Sequence, residues 1–269
     1  LNATQFGLAS ASSSVSGFWL GGTNLDGKIQ KVTIASTGNA IDFGNLIEKT
    51  KNGRACSNTT RLIKGAGVAA ENRLTIESFN MASGGNSIFF GNLTELSTFP
   101  AAMSSETRGI FCGGQNPGLS PLGIVSTIQT ITIASKGNAV NIGDLNTRRY
   151  YGAGVSNGVR GVVGGGFIVS PMASNGMGSS LEFVTIASDG NAIVFGDLTT
   201  KRGKLASAET LTRGVFIGSD SGVPATSTYT NVMDFITVAT TGNAQDFGDM
   251  NRLQPQMGGA ASNATRGVF

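Results

Sequence analysis

Arginine is the chemically capable residue with the most regular spacing in this chain. Arg61, Arg108, Arg160, Arg213 and Arg266 recur at steps of 47, 52, 53 and 53 residues, each at the turn into an apolar run. Five guanidinium donors in a fixed fork suit the tying of loop carbonyls or of a neighbouring carboxylate, so these five are read as structural repeat residues. Asp144, Asp197 and Asp249 alternate with Asn45 and Asn92 at one repeat position. Interchange of Asp with Asn suits a turn acceptor and does not suit a general acid. The chain has no histidine and only two cysteines, Cys56 and Cys112. Ser-His-Asp and Cys-His relays, imidazole metal sites and multi-cysteine zinc sites are therefore excluded. The two thiols are expected to be small buried apolar residues, with a disulfide between them as the alternative. No catalytic residue, metal site or cofactor is expected.

A second set of side chains could bind rather than react. Phe99, Arg148, Arg149, Tyr150, Tyr151, Phe167, Arg202 and Tyr229 fall in segments that join the repeated units or that vary in length between them. Aromatic rings and cationic groups together can stack on and hydrogen-bond to sugars, so these eight form the candidate ligand-binding set. The length variation lies at Gln115 to Ser126, Phe167 to Ser180 and Ser219 to Asn231, against the shorter Thr23 to Lys28. Loops on a rigid scaffold are where binding usually resides.

The elements that must carry these residues follow from an internal repeat. The stretches KVTIASTGNAIDFGNL, NMASGGNSIFFGNL, TITIASKGNAVNIGDL, FVTIASDGNAIVFGDL and FITVATTGNAQDFGDM place a Gly-Asn pair at residues 38, 85, 137, 190 and 242. Between them lies a second motif, as in ETRGIFCGG and GVRGVVGGG, which occurs six times. Each period holds four candidate strands. The first is a run of small residues suited to a crowded centre. The second is apolar and ends in glycines. The third alternates, with Ile128 out of step with Ile131 and Ile133, which predicts a bulge near its start. The fourth would place Ile193 and Phe195 on one face and Ala192 and Val194 on the other. Helical spacing is missing over any three turns, so solenoids of helices are excluded.

Four short antiparallel strands per roughly fifty residues predict an all-β, four-stranded propeller blade repeated along one domain spanning residues 1–269. The repeats run at 1–46, 47–93, 94–145, 146–198, 199–250 and, in part, 251–269. Five blades are complete and a sixth is half present, which makes six blades the expected number and five with a spare hairpin the alternative. Leu1 in first position points to a processed chain or part of a longer one. The period and the double glycine closing the second strand resemble the kelch repeat, although the fourth-strand Trp of that family is Phe43, Phe90, Phe195 or Phe247 here, and Ile142 in the third repeat. Ser188-Asp189-Gly190 is similar to the Asp box of sialidase propellers, but the Asp is Thr37, Gly84, Lys136 or Thr241 elsewhere.

The sequences TIASTGNAIDFGNL and TIASDGNAIVFGDL, each followed by TRGVF-like runs, resemble repeats of virion structural proteins of aquatic tailed phages and large algal viruses. That resemblance implies a non-enzymatic tail fibre, tail tip or capsid appendage at the virion surface. Its partners would be other virion proteins or copies of itself, with a host-surface glycan as ligand. An intracellular kelch-type interaction scaffold and a polysaccharide-degrading tailspike are the alternatives. The net charge of +3, from 19 basic against 16 acidic residues, gives no stripe for nucleic acid. No apolar run reaches the length of a membrane span, so membrane insertion is not expected, and LNATQFG lacks the regions of a signal peptide.

Overall fold

The computed structural model describes residues 1, 6–22, 27–68, 74–119, 123–170, 173–221, 228–254 and 259–269. The loop positions 23–26, 120–122, 171–172 and 222–227 singled out by the length variation lie outside the described residues. Among the described residues there is no helix. Sheet one contains β1 (Ala9–Ser12), β2 (Ser16–Leu20), β3 (Lys28–Thr33) and β4 (Ile41–Asn45). Sheet two contains β5 (Arg54–Ser57), β6 (Arg61–Gly65), β7 (Thr75–Asn80) and β8 (Ile88–Asn92). Sheet three contains β9 (Ala101–Ser104), β10 (Arg108–Cys112), β11 (Thr127–Thr132) and β12 (Val140–Asp144). A short β13 (Arg149–Tyr150) precedes sheet four, whose β14 (Ala153–Ser156) and β15 (Arg160–Gly164) are followed by an inserted hairpin, β16 (Phe167–Ser170) and β17 (Ala173–Met177). Sheet four then ends with β18 (Ser180–Thr185) and β19 (Ile193–Asp197). Sheet five contains β20 (Ala206–Glu209), β21 (Arg213–Ile217), β22 (Val232–Thr237) and β23 (Gln245–Asp249), and a two-stranded sheet pairs β24 (Ala261–Ser262) with β25 (Gly267–Val268).

Within each four-stranded sheet the strands pair antiparallel in simple succession, apart from the hairpin that leaves sheet four to join β13. Every ladder between third and fourth strands slips once, at Ile29/Gln30, Ile76/Glu77, Ile128/Gln129, Leu181/Glu182 and Met233/Asp234. The extra residue sits in the fourth strand, where Phe43, Phe90, Ile142, Phe195 or Phe247 is skipped by the pairing. The bulge corrects the expected alternation of that strand. Phe195 turns inward and is buried, whereas Ile193 and Val194 are both exposed.

The core lies between successive sheets. One layer joins Val162, Leu181 and Phe195 of sheet four to Phe216, Ile236 and Val238 of sheet five. Equivalent layers lie between the earlier pairs of sheets. Cys56 and Cys112 belong to these layers as free, buried thiols, so the disulfide alternative is overturned. Burial pushes both thiols up to about 12, which leaves neither as a thiolate near neutral pH.

The Gly-Asn pair works as a clip between sheets. The N–H groups of Gly85 and Ser87 donate to the carbonyls of Phe43 and Asn45, and the Asn86 carboxamide oxygen accepts the Asn45 N–H at 2.9 Å. The arrangement recurs at Asn138 with Asn92, Asn191 with Asp144, and Asn243 with Asp197. It also explains the glycine before each Asp/Asn-Leu, because a Cβ on Gly44, Gly91, Gly143 or Gly196 would strike the carbonyl of the next sheet's Gly85, Gly137, Gly190 or Gly242. Repetition of the motif thus reports contact between neighbours.

The first strands lie against one another in succession, β1 on β5, β5 on β9, β9 on β14, β14 on β20, and β24 on both β20 and β1. A chain of hydroxyls marks this cycle. Ser57 donates to the Ser12 carbonyl, Ser104 to Ser57, Ser156 to Ser104, Ser262 to Glu209, and Ser12 to Ser262. Small neighbours make the approach close enough. Gly154 sits where a Cβ would be 2.6 Å from the Ala102 carbonyl.

Candidate functional site

At the opposite end of the first strands, the segments that enter each sheet share an unusual backbone. Gly7, Asn52, Phe99, Tyr151 and Lys204 occupy one repeat position, and all are left-handed, with φ between 56° and 70°. Four of the five are not glycine, and for bulky residues such a conformation persists only where surroundings enforce it. The enforcement is a run of backbone bonds. Asn52 N–H donates to Gly7 at 2.7 Å, Phe99 N–H to Asn52 at 2.9 Å, and Tyr151 N–H to Phe99 at 3.0 Å.

This frame brings four of the eight candidate ligand residues together. The Phe99 and Tyr151 rings stack at 3.6 Å between centroids, and Tyr150 stacks on Phe167 at 5.2 Å. Tyr150 and Tyr151 are 5.3 Å apart, and Phe167 meets Tyr151 edge-on at 5.9 Å. Pairing of β13 with β16 is what carries Phe167, from the insert of sheet four, beside Tyr150. Phe167 is buried, while Phe99, Tyr150 and Tyr151 are half-buried. Lys204 reaches to 5.9 Å from the Phe167 ring, within cation-π range, while its ammonium pairs with Asp220 at 2.8 Å. Arg54, at the start of β5, lies close enough to feel the Tyr151 hydroxyl. Burial brings its guanidinium down to about 10, and burial pushes the Tyr150 and Tyr151 phenols above their ordinary range. Both phenols are hence neutral hydrogen-bonding groups at physiological pH.

The other four candidates lie elsewhere. Arg149 and Arg202 correct the expectation of surface binding, since both are buried and engaged. Arg149 pairs with Glu182 at 2.5 Å and donates to the Gly165 and Ser180 carbonyls. Arg202 pairs with Asp234 at 2.5 Å and donates to the Gly218 and Val232 carbonyls, and burial lowers its pKa. Each carboxylate also accepts backbone N–H groups from the segment leaving the preceding sheet, Asn146 and Thr147 for Glu182 and Thr199 for Asp234. In sheet two the same acceptor position is Glu77, and the cation opposite it is Lys64 of β6, in a place held elsewhere by Trp19, Phe111, Val163 and Phe216. Burial brings Lys64 down to about 8, against the pull of Glu77 and Glu48, and its ammonium makes no hydrogen bond. Arg148 is exposed and no ring contact joins it to the cluster. Tyr229 is exposed and forms an isolated bridge with Asp220 in the segment between β21 and β22.

Four of the five recurrent arginines act between sheets. Arg61 donates to the Ile133 and Ala134 carbonyls, Arg108 to the Ile186 carbonyl and the Asp189 carboxylate at 3.1 Å, Arg160 to Val238 and Ala239, and Arg266 to Ile34. Arg213 instead lies over the Phe235 ring at 4.5 Å. Asp144 and Asp197 accept the Ser126 and Ser179 hydroxyls as turn acceptors.

A cavity of about 330 Å³ runs along the first strands toward the turns that follow them. Its wall carries two residues that sequence reasoning passed over. Glu209 replaces the serine found at Ser12, Ser57, Ser104, Ser156 and Ser262, and its carboxylate takes the N–H and hydroxyl of Ser156. Burial pushes it up to about 7 despite those bonds. Arg54 replaces the alanine found at Ala9, Ala101, Ala153 and Ala206. The signal for both was a charged residue breaking an aligned column of small ones. Known protein families and curated proteins give no match to the chain.

Proposed function

We propose that the chain is a kelch-like β-propeller, with the two-stranded sheet as part of a sixth blade, and that it is a non-enzymatic binding scaffold. The cycle of first strands and the clips between successive sheets support the propeller reading. The ligand we assign to it is a host-surface glycan, held on the aromatic cluster of Phe99, Tyr150 and Tyr151 with Arg54 and Lys204 beside it. The observation that carries this reading is the convergence of rings from three separate segments, with Phe99 and Tyr151 held on left-handed backbone. Sugar C–H faces pack on aromatic rings, and neutral phenols and cations supply hydrogen bonds to hydroxyls. On the resemblance of its repeats to those of viral particle proteins, the scaffold we propose would serve in a tail fibre, tail tip or capsid appendage, at the virion surface. An array of bacterial and algal surface glycans tests the ligand. Binding that is lost in Tyr151→Ala supports the reading, and no binding across the array contradicts it.

A polysaccharide-degrading role has one favourable observation, the Glu209 carboxyl held near neutrality on a cavity that Glu106 also lines. Both carboxylates are engaged, Glu106 by the Thr59 N–H and hydroxyl and Glu209 by Ser156. Oligosaccharide released from host capsule, and not released by Glu209→Gln, would promote that role.

A further inference from the structure

Four of the five complete sheets offer their fourth strand to a Gly-Asn hairpin of the next sheet, and the fifth does not. Around Gly248, the counterpart of Gly44, Gly91, Gly143 and Gly196, a Cβ would meet nothing within 4 Å. Phe247 is 50% exposed, whereas its counterparts Phe90 and Phe195 are 2% and 3% exposed. Phe235 and Val215 on the same face are half-buried, although their counterparts Phe183 and Val162 in sheet four are buried. Arg213 has no carbonyl to bind among the described residues, unlike the other four recurrent arginines.

The opposite wall is sheet one. Its hairpin at Gly38 and Asn39 has no fourth strand to clip. The Gly38 and Ala40 N–H groups make no hydrogen bond among the described residues, whereas Gly85 and Ser87, Gly137 and Ala139, Gly190 and Ala192, and Gly242 and Ala244 all do. Val32 is half-buried where Phe79, Ile131, Val184 and Ile236 are buried. Between the two walls stands β25, whose outer edge pairs with no strand among the described residues.

We infer that the slot between sheets five and one is a docking surface for a β-hairpin of the chain's own third-and-fourth-strand type. Its occupant is specified by the four filled interfaces. A Gly-Asn turn would clip Phe247 and Asp249, the end of a third strand would offer carbonyls to Arg213, and a fourth strand would accept the Gly38 and Ala40 N–H groups. The apolar face of that hairpin would cover Phe247, Phe235, Val215 and Val32. This inference is independent of the glycan reading, since the slot lies at the outer strands and the aromatic cluster at the inner ones.

The test adds a synthetic peptide of residues 180–198 to the full chain. Saturating peptide is expected to raise the thermal midpoint by about 5 °C and to slow hydrogen exchange at Gly38 and Ala40. A G190A/N191A peptide is expected to do neither. Arg213→Ala, an exposed position, is expected to weaken peptide binding about tenfold through loss of a charge-assisted hydrogen bond. A second arm joins residues 180–197 directly ahead of Leu1, where the repeat register sets a fourth strand, and is expected to raise the midpoint without added peptide. The inference is overturned if native and altered peptides act alike, if neither arm moves the midpoint, or if the chain dimerises through Phe247 and excludes the peptide.

Discussion

The two ends of the first strands are built from the same repeat and behave in opposite ways. At the serine end, five of six equivalent positions carry a hydroxyl, and each hydroxyl is consumed by the carbonyl of its neighbour. At the other end the backbone repeats but the side chains do not, so Asn52, Phe99, Tyr151 and Lys204 leave one frame as four different groups. Agreement among repeats marks groups that the scaffold uses up. Divergence on a shared backbone marks groups left over for something else, and here the leftover groups are the rings, since Lys204 is already paired with Asp220 at 2.8 Å.

The largest expected effect breaks the scaffold alone. Asp234→Ala leaves the buried Arg202 guanidinium without its carboxylate and is expected to cost about 3–5 kcal/mol in urea unfolding, because an unpaired buried charge is strongly destabilising. Gly91→Ala is expected to come next. Its Cβ meets the Gly137 carbonyl in a filled clip, with a cost of about 1–3 kcal/mol as for other overpacked sites.

Two titrations sharpen the contrast between repeated and divergent positions. Lys64 sits in a column of apolar residues, with its folded pKa depressed from 10.5 to about 8. The unfolded chain binds more protons between those values, so wild-type stability is expected to rise as pH goes from 8 toward 10.5. Lys64→Met should remove that rise and give a higher urea midpoint at pH 7. Glu209 shows the reverse sign. Its folded pKa is raised from 4.5 to about 7, so its favourable contribution is full below pH 4.5 and is lost as pH climbs through 7. Glu209→Gln is expected to flatten the dependence over that window. The smallest effect on stability is expected for Tyr150→Ala, within about 1 kcal/mol for a half-exposed ring, with its consequence confined to ligand binding.

The period, the four strands of each unit and the crowded first strand were legible because glycine pairs and alternation punctuate the chain. The face assignment of the fourth strand was not, since a one-residue bulge at Phe195 cannot be seen in a pattern read as strict alternation. Arg149 and Arg202 were misplaced because they read as loop cations. Their partners Glu182 and Asp234 lie 33 and 32 residues away, and only the pairing of third strands with the preceding linker brings them together. Phe99, Tyr150 and Tyr151 were singled out by residue type in the joining segments and Phe167 in a segment of variable length, but that the four rings meet depends on the pairing of β13 with β16. Arg54, Lys64 and Glu209 were missed although each breaks an aligned column, a comparison that needs nothing but the repeats themselves.

The most direct measurement is an NMR titration of the chain, labelled on its tyrosine and phenylalanine rings and on its backbone amides, with a neutral oligosaccharide from a glycan-array hit. The account predicts shifts confined to Phe99, Tyr150 and Tyr151, unchanged in Glu209→Gln and abolished in Tyr151→Ala. Shifts that instead follow Ser156 and Glu209 at the cavity wall, with the three rings unmoved, would contradict it.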